Sequence, residues 1–197
     1  MPKVTTTRIT TELYKFTGFD LVNVYLFPQK KLLIDAGNPL DKGALKKAIN
    51  AILSCIEIKY IILTHFHYDH AGNIDLFPNA RIYAHEDEIK GLKQFGLTLT
   101  FNKEVLQQLS QRQLLPISSH SDPEFHYLAT PGHTPGGLSL LYTDPQTNKR
   151  YLFTGDVLFR DAIGRTDFPS SSPEKMKISL ILLRTLEYDE LLPGHDY

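Results

Sequence analysis

Five apolar runs in this 197-residue chain each end in a histidine or an aspartate. KKLLID closes on Asp35, KYIILTHFH on His65 and His67, EFHYLATPGH on His133, RYLFTGD on Asp156 and DELLPGH on His195. Short runs rich in β-branched and aromatic residues read as strands. Strand ends in a mixed sheet converge on one edge, where ligands of such folds bind. The chain is therefore constrained to a fold that gathers these ends on one rim. Gly and Pro beside them, in TPGHTPGG, FTGD and LPGH, supply the tight turns such a rim needs.

The remaining pattern fills in around that rim. Within residues 9–36, ELYKF, VNVYLF and KKLLIDAGN read as antiparallel strands. Residues 41–57 have helical spacing with Asp41 at the N-cap. KYIILTH (59–65) is a continuous apolar run, the mark of a strand buried on both faces. DHAGNIDLF opens a short helix and ARIYAH (80–85) is a further strand. Residues 86–118, rich in Gln, Lys and Leu, read as mainly helical, either as a lid or as a cover for the sheet. EFHYLAT, GGLSLLYTD and RYLFTGD are strands, and residues 173–187 form a helix opened by Pro173. No linker or low-complexity segment interrupts the chain, which predicts a single domain over residues 1–197. Strands and helices mix without strict alternation, predicting two sheets with helices outside.

Charge and hydropathy narrow the partners. The formal net charge is −1 and no long run of like charge appears, which argues against nucleic acid and against an anionic membrane as partners. No run reaches transmembrane length, and the N-terminus lacks the apolar core of a signal peptide, so a cytoplasmic location is predicted. The one cysteine, Cys55, lies in the apolar stretch AILSCIEI and reads as a buried thiol. The sequence leaves the oligomeric state open.

The densest chemistry is in LTHFHYDHAGN (63–73). His65 and His67 are two apart, so in extended chain they face the same side and can share one ion. Asp69 and His70 sit at a strand-to-helix turn that can aim them at a second ion. With His133, His195 and Asp156 the set is five histidines and two carboxylates, suited to zinc, iron or manganese. Asp156, with two oxygens, is the natural bridge. Two ions about 3.5–4 Å apart can share a hydroxide ionised near neutral pH and polarise a carbonyl. Asp69 could orient that hydroxide, so no serine or cysteine nucleophile is needed. Asp35 alone reads equally as a turn aspartate. His85, His120 and His126 are not expected to be ligands. Arg165 either binds a substrate anion or ties its loop through Asp161 or Asp167. Phe66 and Tyr68, between the ligands, are expected to face outward or to line the pocket mouth.

HFHYDH resembles the His-X-His-X-Asp-His signature of the metallo-β-lactamase superfamily. LIDAG before it and TPGHTPGG, FTGD and PGH after it occur in that superfamily's order, so the resemblance spans residues 31–197. It implies an α+β fold, the four-layer αββα sandwich of two mixed sheets flanked by helices. It also implies two divalent ions, most simply zinc. One would lie on His65, His67 and His133, the other on Asp69, His70 and His195, with Asp156 bridging and Asp35 orienting the cluster. FTGDVLF, IGRTDFP and the ending PGHDY resemble the glyoxalase II-like (hydroxyacylglutathione hydrolase-like) branch. That implies hydrolysis of a thioester or related ester by a metal-bridging hydroxide, with Tyr197 and Arg165 as substrate contacts. The C-terminal helical domain that binds glutathione in full glyoxalase II enzymes has no counterpart within residues 1–197. His195, two residues from the chain end, stands where fraying is expected. GRTDF and HDY also resemble persulfide dioxygenases of the superfamily, which implies one iron on His65, His133 and Asp156. A non-catalytic metal-binding domain is the third reading.

Overall fold

The structure is a computed structural model and describes residues 3–197. Its first half builds one sheet. Strands β1 (Thr5–Arg8), β2 (Tyr14–Thr17), β3 (Asn23–Phe27) and β4 (Leu32–Ile34) run as an antiparallel meander. Helix α1 (Lys42–Asn50) then crosses back so that β5 (Tyr60–Ile62) joins parallel to β4. The short α2 (Tyr68–Ala71) leads to β6 (Arg81–Ala84). Helices α3 (Glu86–Phe95), α4 (Leu97–Thr100) and α5 (Lys103–Gln111) lead to β7 (Leu114–Pro116), and both new strands are again parallel additions. The seven strands lie in sequence order.

The second half builds a four-stranded sheet. β8 (Phe125–Ala129), β9 (Leu138–Thr143) and β10 (Arg150–Gly155) are antiparallel neighbours. Helix α6 (Pro173–Arg184) returns the chain so that β11 (Glu190–Pro193) pairs parallel with β10. Ser172 caps α6 by accepting from Lys175 N, ahead of Pro173, whose missing N–H costs nothing at a first helical position.

Period-2 alternation assigns each strand residue to a layer. Val24, Leu26, Leu33 and Ile61 face a core shared with Leu45 and Ile49 of α1, Leu92 of α3 and Val105 and Leu109 of α5. The intervening Tyr25, Phe27, Ile34 and Ile62 face Leu140, Tyr142, Phe153 and Leu192 of the second sheet. Leu141 and Leu152 point the other way, onto Met176 and Leu183 of α6. The order is helix, sheet, sheet, helix, as predicted. Edge-to-face rings join the sheets: Phe27 meets Tyr142 at 4.8 Å and Tyr25 meets Phe153 at 4.9 Å. Each such fully buried side chain contributes about 1.5–3 kcal/mol.

Several local expectations are corrected. The helix predicted over residues 41–57 ends at Asn50, and a 3-10 turn at Cys55–Glu57 follows. Asp41 does not cap it; its carboxylate accepts from Phe19 N instead. Phe66 is fully buried in the core beneath the first sheet, not outward or at the mouth, because the chain leaves extended geometry after Ile62. Strands β1 and β7 carry no alternating signal and went unpredicted. Residues 86–118 cover the sheet through Leu92, Leu99, Val105 and Leu109. Cys55 is buried, as expected. Among the described residues no helix is long and apolar enough to cross a membrane.

Candidate metal centre

Strands β4 and β5 are parallel, so Asp35 and the Thr64–His70 segment emerge from the same edge. β10 and β11 are parallel in the other sheet, so Asp156 and His195 do likewise. The two rims are stitched together: Leu138 N donates to Thr64 O at 2.9 Å and Asn23 N to Gly194 O at 2.8 Å. His133, on the loop between β8 and β9, completes the ring of loops.

Three groups of metal-ligating side chains result, each with ligand atoms within 4.8 Å of one another: His65, His67 and His133; His65, His70 and Asp156; and Asp69, His70 and His195. All seven sequence-predicted residues are therefore brought together. His67 Nδ1 and His133 Nε2 face each other at 3.0 Å, and His70 Nε2 and His195 Nε2 at 3.3 Å. Asp156 lies between the two ends of the cluster. Its Oδ2 is 3.5 Å from His133 Nε2 and 3.4 Å from His195 Nε2, and its Oδ1 is 3.2 Å from His70 Nε2. Asp69 Oδ2 is 3.6 Å from His195 Nε2.

The far nitrogens are held by oxygens, which fixes ring orientation as it does around metal-ligating imidazoles. His70 Nδ1 meets Asp35 Oδ2 at 2.8 Å, His133 Nδ1 meets Arg165 O at 2.8 Å, His195 Nδ1 meets Asp20 O at 2.8 Å and His65 Nδ1 meets Thr64 Oγ1 at 3.1 Å. Asp35 also accepts from the Thr64 backbone N and hydroxyl, and it does so from a left-handed conformation, φ 60°. A non-glycine residue held there signals a constraint imposed by the site. Gly194 is fixed by space: a methyl group on it would overlap Asp156 Oδ1 and stand 2.8 Å from His70 Cε1.

Electrostatics suit a cation. Burial, reinforced by neighbouring imidazoles, pushes His65 and His67 well below the usual histidine range, and burial lowers His133 as well. These three are neutral, the form that coordinates metal. At His70 burial is outweighed by Asp156 and Asp35, and at His195 by Asp156, so both are raised. Burial of Asp156 is likewise outweighed by His70 and His195, holding it well below the carboxylate range. Buried His65 Nε2 has no hydrogen-bond partner. An unpaired buried acceptor is costly, and a cation would satisfy it. The nitrogen-rich, thiolate-free donor set fits zinc, iron or manganese.

One structural residue escaped the sequence reading. Glu88, fully buried on α3, accepts from Phe66 N at 2.9 Å and Gly136 N at 2.8 Å. A single carboxylate thus ties the His65–His67 segment to the His133 loop. Burial pushes it up to about 7, against the pull of its backbone hydrogen bonds. EDE at a helix start reads as a solvated first turn, so only its spacing within the amphipathic α3 could have signalled burial. His85 caps α3 through Asp87 N, His120 packs on Tyr60, Tyr83 and Tyr127, and His126 is exposed. None joins the cluster.

A cleft of about 530 Å³ opens above the cluster, lined among others by Asp20, Tyr68, Phe101, Phe159, Ile163, Arg165, Phe168 and Tyr197. Arg165 pairs with Asp167 through two hydrogen bonds, of 2.9 and 2.8 Å, with its guanidinium 4.5 Å from the centre of the Phe168 ring. Tyr197 stacks on the His195 ring at 4.8 Å. The expected fraying is corrected. His195 bridges to Val22, Asp196 N donates to Leu21 O, and the Asp196 carboxylate receives Asn23 Nδ2 at 2.9 Å and pairs with Lys15.

The metallo-beta-lactamase superfamily profile matches residues 17–195. The chain belongs to the metallo-beta-lactamase superfamily. Among relatives, it is 28% identical over 192 residues to a probable metallo-hydrolase of Methanocaldococcus jannaschii, covering 90% of this chain and 88% of the relative. It is 31% identical over 170 residues to a hydroxyacylglutathione hydrolase of Legionella pneumophila, covering 84% of this chain and 58% of that enzyme. Among solved structures, TTHA1623 in a di-iron-bound form superposes with a TM-score of 0.64 at 26% identity, covering 89% of this chain and 88% of that one. The superfamily's divalent-metal chemistry matches the donor set already described.

Proposed function

We propose that residues 1–197 form one superfamily domain acting as a dinuclear metal hydrolase that cleaves a thioester or related ester. The observation that carries this is the position of Asp156, in reach of His133 at one end of the cluster and of His70 and His195 at the other. His65, His67 and His133 would hold one ion and Asp69, His70 and His195 the second. Bound there, divalent ions supply a water that ionises near neutral pH and a Lewis acid for the carbonyl.

The chain's own residues do the rest. Asp69, half-buried beside His195, is placed to accept the proton of an attacking water and orient it. Asp35, Arg165 O, Asp20 O and Thr64 hold four imidazoles against rotation, so the site is organised before substrate arrives. Tyr197 flanks the cleft as a substrate contact, and Arg165, paired with Asp167, ties its loop at the cleft wall. The hydroxyacylglutathione hydrolase relative supports the thioester assignment. Elemental mass spectrometry of protein purified without added metal tests this: about two ions per chain are expected. His67→Ala and Asp69→Ala should each remove thioester turnover while the circular dichroism spectrum is kept. Unchanged turnover in either variant would sink the mechanism.

A second reading is favoured by one observation. His65, His133 and Asp156 are mutually adjacent, and two histidines with one carboxylate form the ligand set of mononuclear iron oxygenases. About one iron per chain and oxygen uptake with glutathione persulfide would select it. Inactivity on esters, thioesters and persulfides with metal bound would select a non-catalytic metal-binding role.

A further inference from the structure

The cleft walls carry a chemistry that the metal-binding floor does not explain. One wall is Phe101 against Phe168, ring centres 4.9 Å apart, with Phe101 5.0 Å from His67 and Phe168 5.8 Å from His133. The opposite wall is Phe159 against Tyr197 at 5.3 Å, both beside His195. Phe101 is 42% and Tyr197 55% exposed. Aromatic faces left open on both sides of a site are binding surface.

Phe101 is placed there against its own preference. It has φ 55°, a left-handed conformation that is strained for a bulky residue, and it is held by Phe101 N donating to Leu97 O and by Asn102 capping α5. Charge on the walls points the same way. Among the described residues lining this cleft, Arg165 is the one lysine or arginine, and Asp167 pairs with it. The pair is two-pronged, so a substrate carboxylate would have to displace Asp167 to reach the guanidinium. Asp20 faces the same space. Among the described residues of these walls, no other lysine or arginine stands ready for a carboxylate on the substrate's thiol arm.

We infer that the cleft selects thioesters with an aromatic or branched apolar flank and an uncharged thiol arm, held between Phe101–Phe168 and Phe159–Tyr197, and does not select the anionic tripeptide arm of a glutathione thioester. The inference rests on the thioester hydrolase reading, but its test does not use turnover. Metal-loaded protein is titrated calorimetrically with two non-hydrolysable thioethers, S-benzyl-N-acetylcysteamine and S-benzylglutathione. Wild type should bind both within about threefold of each other. Phe101→Ala and Phe168→Leu should each weaken the N-acetylcysteamine compound by about tenfold, with unchanged circular dichroism and metal content. Asp167→Asn frees Arg165 and should strengthen S-benzylglutathione binding several-fold while leaving the other compound alone. Binding of S-benzylglutathione more than about tenfold tighter by wild type, insensitivity to both aromatic variants, no response to Asp167→Asn, or no binding of either compound would each overturn the inference. Binding as expected without thioester hydrolysis would count against the hydrolase reading alone.

Discussion

Burial makes Glu88 hold its proton above the usual carboxylate range. Its carboxyl is raised from 4.5 to about 7, so between those values the folded chain binds a proton that the unfolded chain has released. Stability from this group is therefore fully present below pH 4.5 and falls as pH rises through 7, by on the order of 3 kcal/mol. Gln does not titrate, although its amide N would face a backbone N–H of Phe66 or Gly136, costing about 1–3 kcal/mol. The stability of Glu88→Gln relative to wild type should accordingly improve from pH 5 to pH 7.5, read from urea midpoints. Parallel trends in the two proteins would remove Glu88 as the titrating group. At this scale the sequence was legible where side chains carry the chemistry. His65, His67, Asp69 and His70 stand within six positions and announce themselves. The groups holding them do not: Arg165 O and Asp20 O are backbone atoms that any residue could offer. Phe66 was misread because strand alternation was carried past the end of β5.

Among elements, β3 is the clamp that orders the end of the chain. Asn23 is fully buried, and its Nδ2 donates to Pro193 O at 3.1 Å and to Asp196 Oδ1 at 2.9 Å, while Tyr25 hydroxyl donates to Pro193 O at 2.7 Å. Asn23→Ala leaves Pro193 O with the Tyr25 hydroxyl as its side-chain donor and takes one partner from the part-buried Asp196 carboxylate, so it should destabilise the fold by about 1–3 kcal/mol. Because His195 follows Pro193 directly through Gly194, the same variant should bind its second metal ion more weakly than its first, resolved by stepwise chelator competition. Equal weakening of both ions would show a global effect instead. The sequence gives apolar strands away and hides polar ones. β1 is TTTR with all four residues exposed, so it has no buried face to reveal it. It forms by backbone pairing with β2 alone.

Taken whole, the molecule is a framework of three apolar cores with its polar chemistry confined to one rim. The layering was legible because alternation in NVYLF and LSLLYT assigns side chains to opposite faces. The antiparallel pairing within residues 9–36 was legible too, but the parallel pairings were not, since they depend on crossovers that no local pattern encodes. His65 Nε2 and His67 Nε2 are buried without a hydrogen-bond partner, so an ion bound to them would stabilise the fold. Chelation should lower the thermal midpoint with secondary structure retained below it. The loss is about 4 kcal/mol per ion at free metal a thousandfold above its dissociation constant. An unchanged midpoint would mean that the cluster binds no ion in the folded state. The contacts that define the cluster span large separations, 66 residues for His67 with His133 and 125 for His70 with His195. On a ribosome, a nascent chain extending through His67 therefore offers a passing ion only two imidazoles. The first trio is complete after His133 emerges, and the second after His195. In the proposed site an ion present early in synthesis would find no complete trio, so the choice among zinc, iron and manganese would fall to the finished fold and the pool surrounding it.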